Sequence, residues 1–168
     1  MPRAGLLQAL AIQDVLQTWS WSLQLTRIPG VSDPRTLAFK CVSTEIPSST
    51  VEPVPYEAQG GVKLMFAGKR QWSNSWTATF VESRDSSTAA SFRTWHDLMH
   101  NPLTGLGSYK TLYAVPIDLT LYDDAGLPSR TIKLVNAWPS EIGQVSLDQQ
   151  AGIVQFSVTF SFDYPEES

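Results

Sequence analysis

Two histidines one helical turn apart are the chain's clearest candidates for chemistry. His96-Asp97-Leu98-Met99-His100 has the spacing at which a His-Glu-x-x-His helix offers two imidazoles to zinc. Asp97 stands where the Glu general base belongs, and its shorter stem misplaces the carboxylate. Pro102 breaks the helix just after His100. The chain has only two histidines, so a third ligand has to be a carboxylate or Cys41. Packing explains the pair more simply, because both histidines flank an apolar stripe of Phe92, Trp95 and Met99. A zinc-dependent hydrolase built on His96 and His100 is kept only as an outside alternative, and no metal or cofactor is expected.

Other reactive side chains point the same way. Cys41 has no His or Asn beside it in sequence, so a small buried thiol is its default reading. A lone cysteine also excludes an internal disulfide. The chain contains no Gly-x-Ser-x-Gly elbow and no Gly-rich phosphate loop. Lys69-Arg70 is an isolated basic pair, suited to a solvated or interface position. The tryptophans raise carbohydrate stacking as a further alternative. Trp19, Trp21, Trp76, Trp95 and Trp138 are all predicted on core faces, however, so packing accounts for them better. The enzyme reading is therefore set aside.

Composition narrows the class. The 168 residues carry 12 Lys and Arg against 16 Asp and Glu, a net charge of -4, which is not the basic footprint of a nucleic-acid binder. Charged residues make up only 17% and there are six tryptophans, a balance that fits either an aromatic-rich β core or a surface covered by partners. One domain over 1–168 is expected. The start, Met1 to Ile12, superficially resembles a signal peptide, but Gln8, Gln13 and Asp14 interrupt it. An N-terminal arm or short helix over 1–18 is the better expectation. No stretch reaches the ~20 apolar residues of a membrane span.

Strands must position whatever this chain presents. From Val154 to Tyr164 apolar and polar residues alternate without a break. Val154, Phe156, Val158, Phe160, Phe162 and Tyr164 share one face, and Gln155, Ser157, Thr159, Ser161 and Asp163 the other. From Trp19 to Thr26 the same pattern sets Trp19, Trp21, Leu23 and Leu25 against Ser20, Ser22, Gln24 and Thr26. Both polar faces are short, hydroxyl-rich and free of Lys and Arg. Such a surface suits something that must slide past without sticking.

Further strands are predicted over Phe39–Thr44, Val62–Ala67, Trp76–Glu82, Tyr113–Tyr122, Arg130–Trp138 and Val145–Asp148. Asp123-Asp124-Ala125-Gly126 is read as a hairpin turn, and Trp138 to Gly143 as a sharp break. One helix is predicted from Ser87 to His100, with Asp85 among its capping candidates and its stripe packed on a sheet. Residues 45–61 form a long excursion containing Pro47, Pro53 and Pro55, which excludes a helix or a central strand; long ordered loops are usually functional. The fold class is mainly β (α+β): an antiparallel sandwich or partial barrel with one packed helix.

Read in order, several pieces carry a resemblance. They are Lys40-Cys41-Val42-Ser43-Thr44-Glu45-Ile46-Pro47, Val51-Glu52-Pro53-Val54-Pro55 and Ala67-Gly68-Lys69-Arg70. The Trp72 to Phe80 strand, Phe92-Arg93-Thr94-Trp95 and Asn136-Ala137-Trp138-Pro139-Ser140-Glu141-Ile142-Gly143 follow, then the strand ending Phe162-Asp163-Tyr164. From Cys41 to Tyr164 the chain resembles the tail tube proteins of contractile-tailed bacteriophages. The Trp-Pro-x-x-x-Gly piece is the most specific.

The resemblance implies a structural protein of the virion, assembled in the host cytoplasm. It implies hexameric rings whose inner sheets join into one continuous β-barrel, stacked into a tube inside a sheath. The partners it implies are further copies, the sheath, the tape-measure protein and DNA in the bore, and baseplate and neck proteins at the ends. A baseplate or neck initiator or terminator, or the tube protein of a bacterial contractile injection system, are alternatives within the same fold. On this reading Ser20, Ser22, Gln24, Thr26, Gln155, Ser157, Thr159, Ser161 and Asp163 line the channel. The excursion with Glu45, Pro47, Val51, Glu52, Pro53, Pro55, Tyr56, Gly60 and Gly61 contacts the next ring. Six copies carry about -24 formal charges per ring. DNA carries one charge per ~1.7 Å and screening acts over ~8 Å, so an inward row of cations would act as a brake.

Overall fold

The computed structural model describes residues 16–147 and 149–168. Most of the expected arm over 1–18, up to residue 15, lies outside them. In chain order the elements are β1 (Trp21–Leu25), α1 (Pro34–Phe39), β2 (Cys41–Thr44), β3 (Ser49–Glu57), β4 (Lys63–Trp72), β5 (Ser75–Val81), α2 (Ser87–Met99) and α3 (Lys110–Tyr113). Then come β6 (Val115–Tyr122), β7 (Pro128–Ile142), β8 (Gln155–Ser161) and β9 (Tyr164–Glu167). The architecture is mainly β and antiparallel, as the residue pattern predicts, with two short helices added to the expected one.

One continuous sheet runs β1-β6-β7-β8-β5-β2, with β9 also on β7. The long strand β7 joins its two halves. Residues 128–137 pair with β6, 132–135 with β9 and 138–142 with β8. Asn136 adopts the left-handed region at φ 54 between these halves, a conformation that asparagine tolerates better than most residues. Its Nδ2 donates to Asp163 Oδ2 at 2.8 Å, where β8 gives way to β9. Asn74, also left-handed at φ 51, donates to the carbonyls of Phe162 and Asp163. These asparagines hold the kink that lets one chain segment serve both halves of the sheet.

The apolar faces of both halves feed one core. Phe80, Phe92, Trp95 and Phe160 are fully buried there, with Phe80 and Phe92 ring centroids 4.9 Å apart edge to face. Helix α2 covers the β5–β8 side. Trp95 Nε1 donates to the Tyr113 carbonyl at 2.8 Å and Trp76 Nε1 to the Glu45 carbonyl at 2.6 Å, so neither buried indole lacks a partner. The start of α2 is capped from the end of β5. Glu82 accepts from the Thr88 and Ala89 N–H groups, both at 3.0 Å, which satisfies two of the donors every helix leaves open. The expected Asp85 assists by accepting from Ser87 N at 3.2 Å. Hydrogen bonds from Ser87 hold its carboxyl below the usual range.

Several expectations change. Phe39 closes α1 instead of opening a strand, because Asp33 caps a turn with Pro34 at its start. Trp19 is 77% exposed, not core. Trp138–Gly143 is not a break: β7 continues to Ile142 through a register shift between Pro139 and Glu141, where a bulge absorbs the proline. No strand forms over 143–147, and Asp148 lies outside the described residues. Tyr164 leaves the β8 face, opens β9 and is exposed.

The 45–61 excursion is more ordered than a loop. Val51 to Tyr56 lie in β3, which pairs only with β4 and forms a separate two-stranded ribbon. Glu45 and Pro47 lie in the lead-in, and Gly60 (φ 92) and Gly61 (φ 77) make the left-handed turn. Pro53 and Pro55 are two residues apart, so both missing N–H groups fall on the same edge of β3. Every β3 residue is exposed.

Candidate channel wall and assembly surfaces

Register places the expected channel residues on two different halves of the sheet. On the β8 half, Ser161, Thr159 and Ser157 lie opposite Ser75, Thr77 and Thr79 of β5, and Gln155 lies opposite Val81. Thr79 in turn faces Ser43 of β2. The Thr77 and Thr159 hydroxyls are 3.3 Å apart, and Ser140 Oγ donates to the Thr159 carbonyl at 3.0 Å. Glu141 adds one carboxylate in register with Thr159. None of these residues is Lys or Arg. Sequence reasoning did not assign Ser75, Thr77 and Thr79 to this face, although Trp76, Ala78 and Phe80 alternate with them.

Gly143, last residue of the Trp-Pro-x-x-x-Gly piece, follows the end of β7 and packs against β8. Its N–H donates to the Ser157 carbonyl at 2.6 Å, and a Cβ there would sit 2.6 Å from that same oxygen. Only glycine permits so close an approach.

The β1 half differs. Ser22 Oγ lies 2.9 Å from the Tyr122 hydroxyl, and Ser22 is in register with Thr120. Gln24, however, aligns with Asp118, then Lys133, then Glu166 across β6, β7 and β9. The expected cation-free face of Ser20, Ser22, Gln24 and Thr26 therefore continues into a mixed-charge row. Asp163 lies at the β8–β9 kink, where Lys110 Nζ pairs with it. Lys110 first and Asn136 second hold its carboxyl below the ordinary range.

His96 Nε2 donates to the Pro139 carbonyl at 2.9 Å. Among the described residues no three His, Cys, Asp or Glu side chains gather to hold a metal. Burial pushes the Cys41 thiol up to about 12, which leaves it protonated and unreactive near neutral pH. Lys69 and Arg70 belong to the ribbon, with the Arg70 guanidinium 4.3 Å over the Trp72 ring. Among the described residues no helix is long and apolar enough to cross a membrane.

Among the described residues, two apolar surfaces near the ends of β2 are exposed. The β3–β4 ribbon exposes Val51, Val54, Tyr56, Leu64, Met65 and Phe66. Between β1, α1 and β2 lie two adjoining clefts of ≈ 550 and ≈ 430 Å³, bordered by Phe39, which is 89% exposed.

The profile of the phage tail tube protein family matches residues 18–166. The chain belongs to the phage tail tube protein family. Tail tube protein gp19 of Enterobacteria phage T4 is 26% identical over 137 residues, covering 79% of this chain and 82% of the relative. Solved structures share the fold, two of them from one injection system. The sheath/tube terminator of the PVC extracellular contractile injection system, in its extended state, has TM-score 0.66 at 14% identity, covering 94% of this chain and 99% of that one. The sheath-tube complex of the same system has TM-score 0.61 at 14% identity, with 99% of each chain covered. This tail tube protein is thus a structural component of the virion.

Proposed function

We propose that the protein polymerises as stacked hexameric rings into the inner tube of a contractile tail, and that this tube encloses the tape measure and conducts DNA. The observation that carries the reading is the pair of open borders on the β7–β8–β5–β2 half. β2 pairs only with β5, and residues 138–142 of β7 pair only with β8, among the described residues. Free strand borders are a liability unless a partner completes them. Strand directions alternate through these four strands, so β2 of one copy meets β7 of the next in antiparallel sense and the alternation continues around a ring. Four strands from each of six copies, at ~4.8 Å spacing, close a circle ~115 Å round and ~37 Å across at the backbone before strand tilt widens it.

In that ring the face of Ser75, Thr77, Thr79, Ser157, Thr159 and Ser161 lines the bore, with α2 and the core behind it. Gln155 continues the wall towards one end. Ser20, Ser22, Gln24 and Thr26 share their face with Lys133, which favours a position away from the DNA path. The exposed ribbon joins rings axially, and the sheath, baseplate and neck proteins meet the outside and the ends.

Negative-stain microscopy of concentrated protein tests the assembly, with rings and tubes as the expected result. A monodisperse monomer at every concentration refutes it. Short stacks that never elongate would instead assign the chain to a tube end.

A further inference from the structure

The cleft between β1, α1 and β2 lies at the opposite end of β2 from the β3–β4 ribbon. Helix α1 ends directly before β2, where Val81 N donates to the Lys40 carbonyl at 2.9 Å. At the far end Thr44 leads into the ribbon, whose root is tied by Ser73 N donating to the Ser48 carbonyl at 3.3 Å. One copy thus presents, among the described residues, an open apolar cleft at one end and an exposed apolar ribbon at the other.

Their chemistry is complementary. Trp21, Leu23 and Ala38 line the clefts, and Phe39 and Trp19 stand exposed on the border. Asp33 and Arg35 supply one charge of each sign beside them. Near its tip the ribbon exposes Tyr56, Leu64 and Phe66, followed by the in-register pair Glu57 and Lys63. Arg35 suits Glu57, and Asp33 suits Lys63. We propose that the cleft is the seat for the β3–β4 ribbon of a second copy in the adjacent ring. This rests on the stacked-ring reading above. A donor at one end and its acceptor at the other make a heterologous contact that repeats by translation without closing, which is what a growing stack requires. Several such contacts per ring act together, so each one can be weak.

The test uses the full chain with Cys41→Ala, Phe39→Cys and Val62→Cys, assembled and then treated with a short bis-maleimide. The expected result is a ladder of covalent oligomers on a denaturing gel, absent when either new cysteine is omitted. Visible tubes that carry both cysteines without a ladder overturn the proposed seat and leave stacking intact. Absence of tubes from the unaltered protein refutes stacking itself, and the seat with it. Independently, Phe39→Asp should keep its melting temperature and its rings while losing long tubes. Tubes of unchanged length from that variant also overturn the proposal.

Discussion

Placing lysines on the proposed channel wall gives the sharpest test of its chemistry. Ser157→Lys with Thr159→Lys adds two cations per copy on the β5–β8 face, or twelve in a ring of six. A lysine about 8 Å from a phosphate attracts it by about 0.5 kcal/mol in water, and screening over one Debye length cuts this to about 0.2. Twelve together supply about 2 kcal/mol per ring. If that attraction is lost as a phosphate passes from one ring to the next, transit slows about thirtyfold. At 1 M salt the Debye length falls to ~3 Å and the attraction nearly vanishes. The assay is the rate of DNA ejection from purified particles, measured at low and high salt beside micrographs of their tails. Slow ejection that salt relieves is expected, and Ser157→Glu with Thr159→Glu should cause no such slowing. Normal tails that eject at the unaltered rate in low salt would refute a position for this face in the DNA path.

The remaining predictions concern the subunit. Phe160→Ala empties the centre of the cluster formed with Trp76, Phe92 and Trp95 and should cost about 3–5 kcal/mol in urea unfolding. Gly143→Ala forces a Cβ against the Ser157 carbonyl and should cost about 1–3 kcal/mol. Ser157→Gly should not rescue it, because the obstructing oxygen is backbone, and denaturation of the double variant checks this. Asp163 titrates below its ordinary value of 3.8 because Lys110 and Asn136 favour the carboxylate. Its contribution to stability is therefore complete above about pH 4 and lost as pH falls through the lowered value. Asp163→Asn should remove that part of the acid dependence, measured as melting temperature against pH.

How much of this could be read from sequence depends on the range of the interactions involved. The β8 strand was legible because its period is local: Phe156, Val158 and Phe160 alternate with Ser157 and Thr159 whatever lies beside them. Helix α2 was legible for the same reason, through Phe92, Trp95 and Met99. Register was not. The row Gln24, Asp118, Lys133 and Glu166 gathers residues from four distant segments, and no periodicity announces that a lysine stands two strands from Gln24. Proline misled at Pro139, while at Pro53 and Pro55 it rightly excluded a central strand but hid the ribbon strand. Pro139 sits in a bulge and Pro53 and Pro55 in a strand with a single partner, so a missing donor interrupts neither pairing.

The apolar residues that sequence reasoning placed wrongly say something different. Trp19 and Phe39 are exposed beside the cleft of β1, α1 and β2, and the exposed aromatics of the ribbon sit at the other end of β2. Reading Trp19 as core assumes that the core belongs to the same copy; Phe39 is read from sequence as opening a strand, with no core role. In a subunit that completes its borders with its neighbours, part of the apolar surface is core only in the assembly. The low charge fraction suits such a surface, and of the tryptophans Trp19 is exposed while Trp76 and Trp95 are buried in the subunit's own core. In the proposed tube the two ends of β2 meet that need, with an open cleft at one, an exposed ribbon at the other, and between them a strand border that no described residue completes.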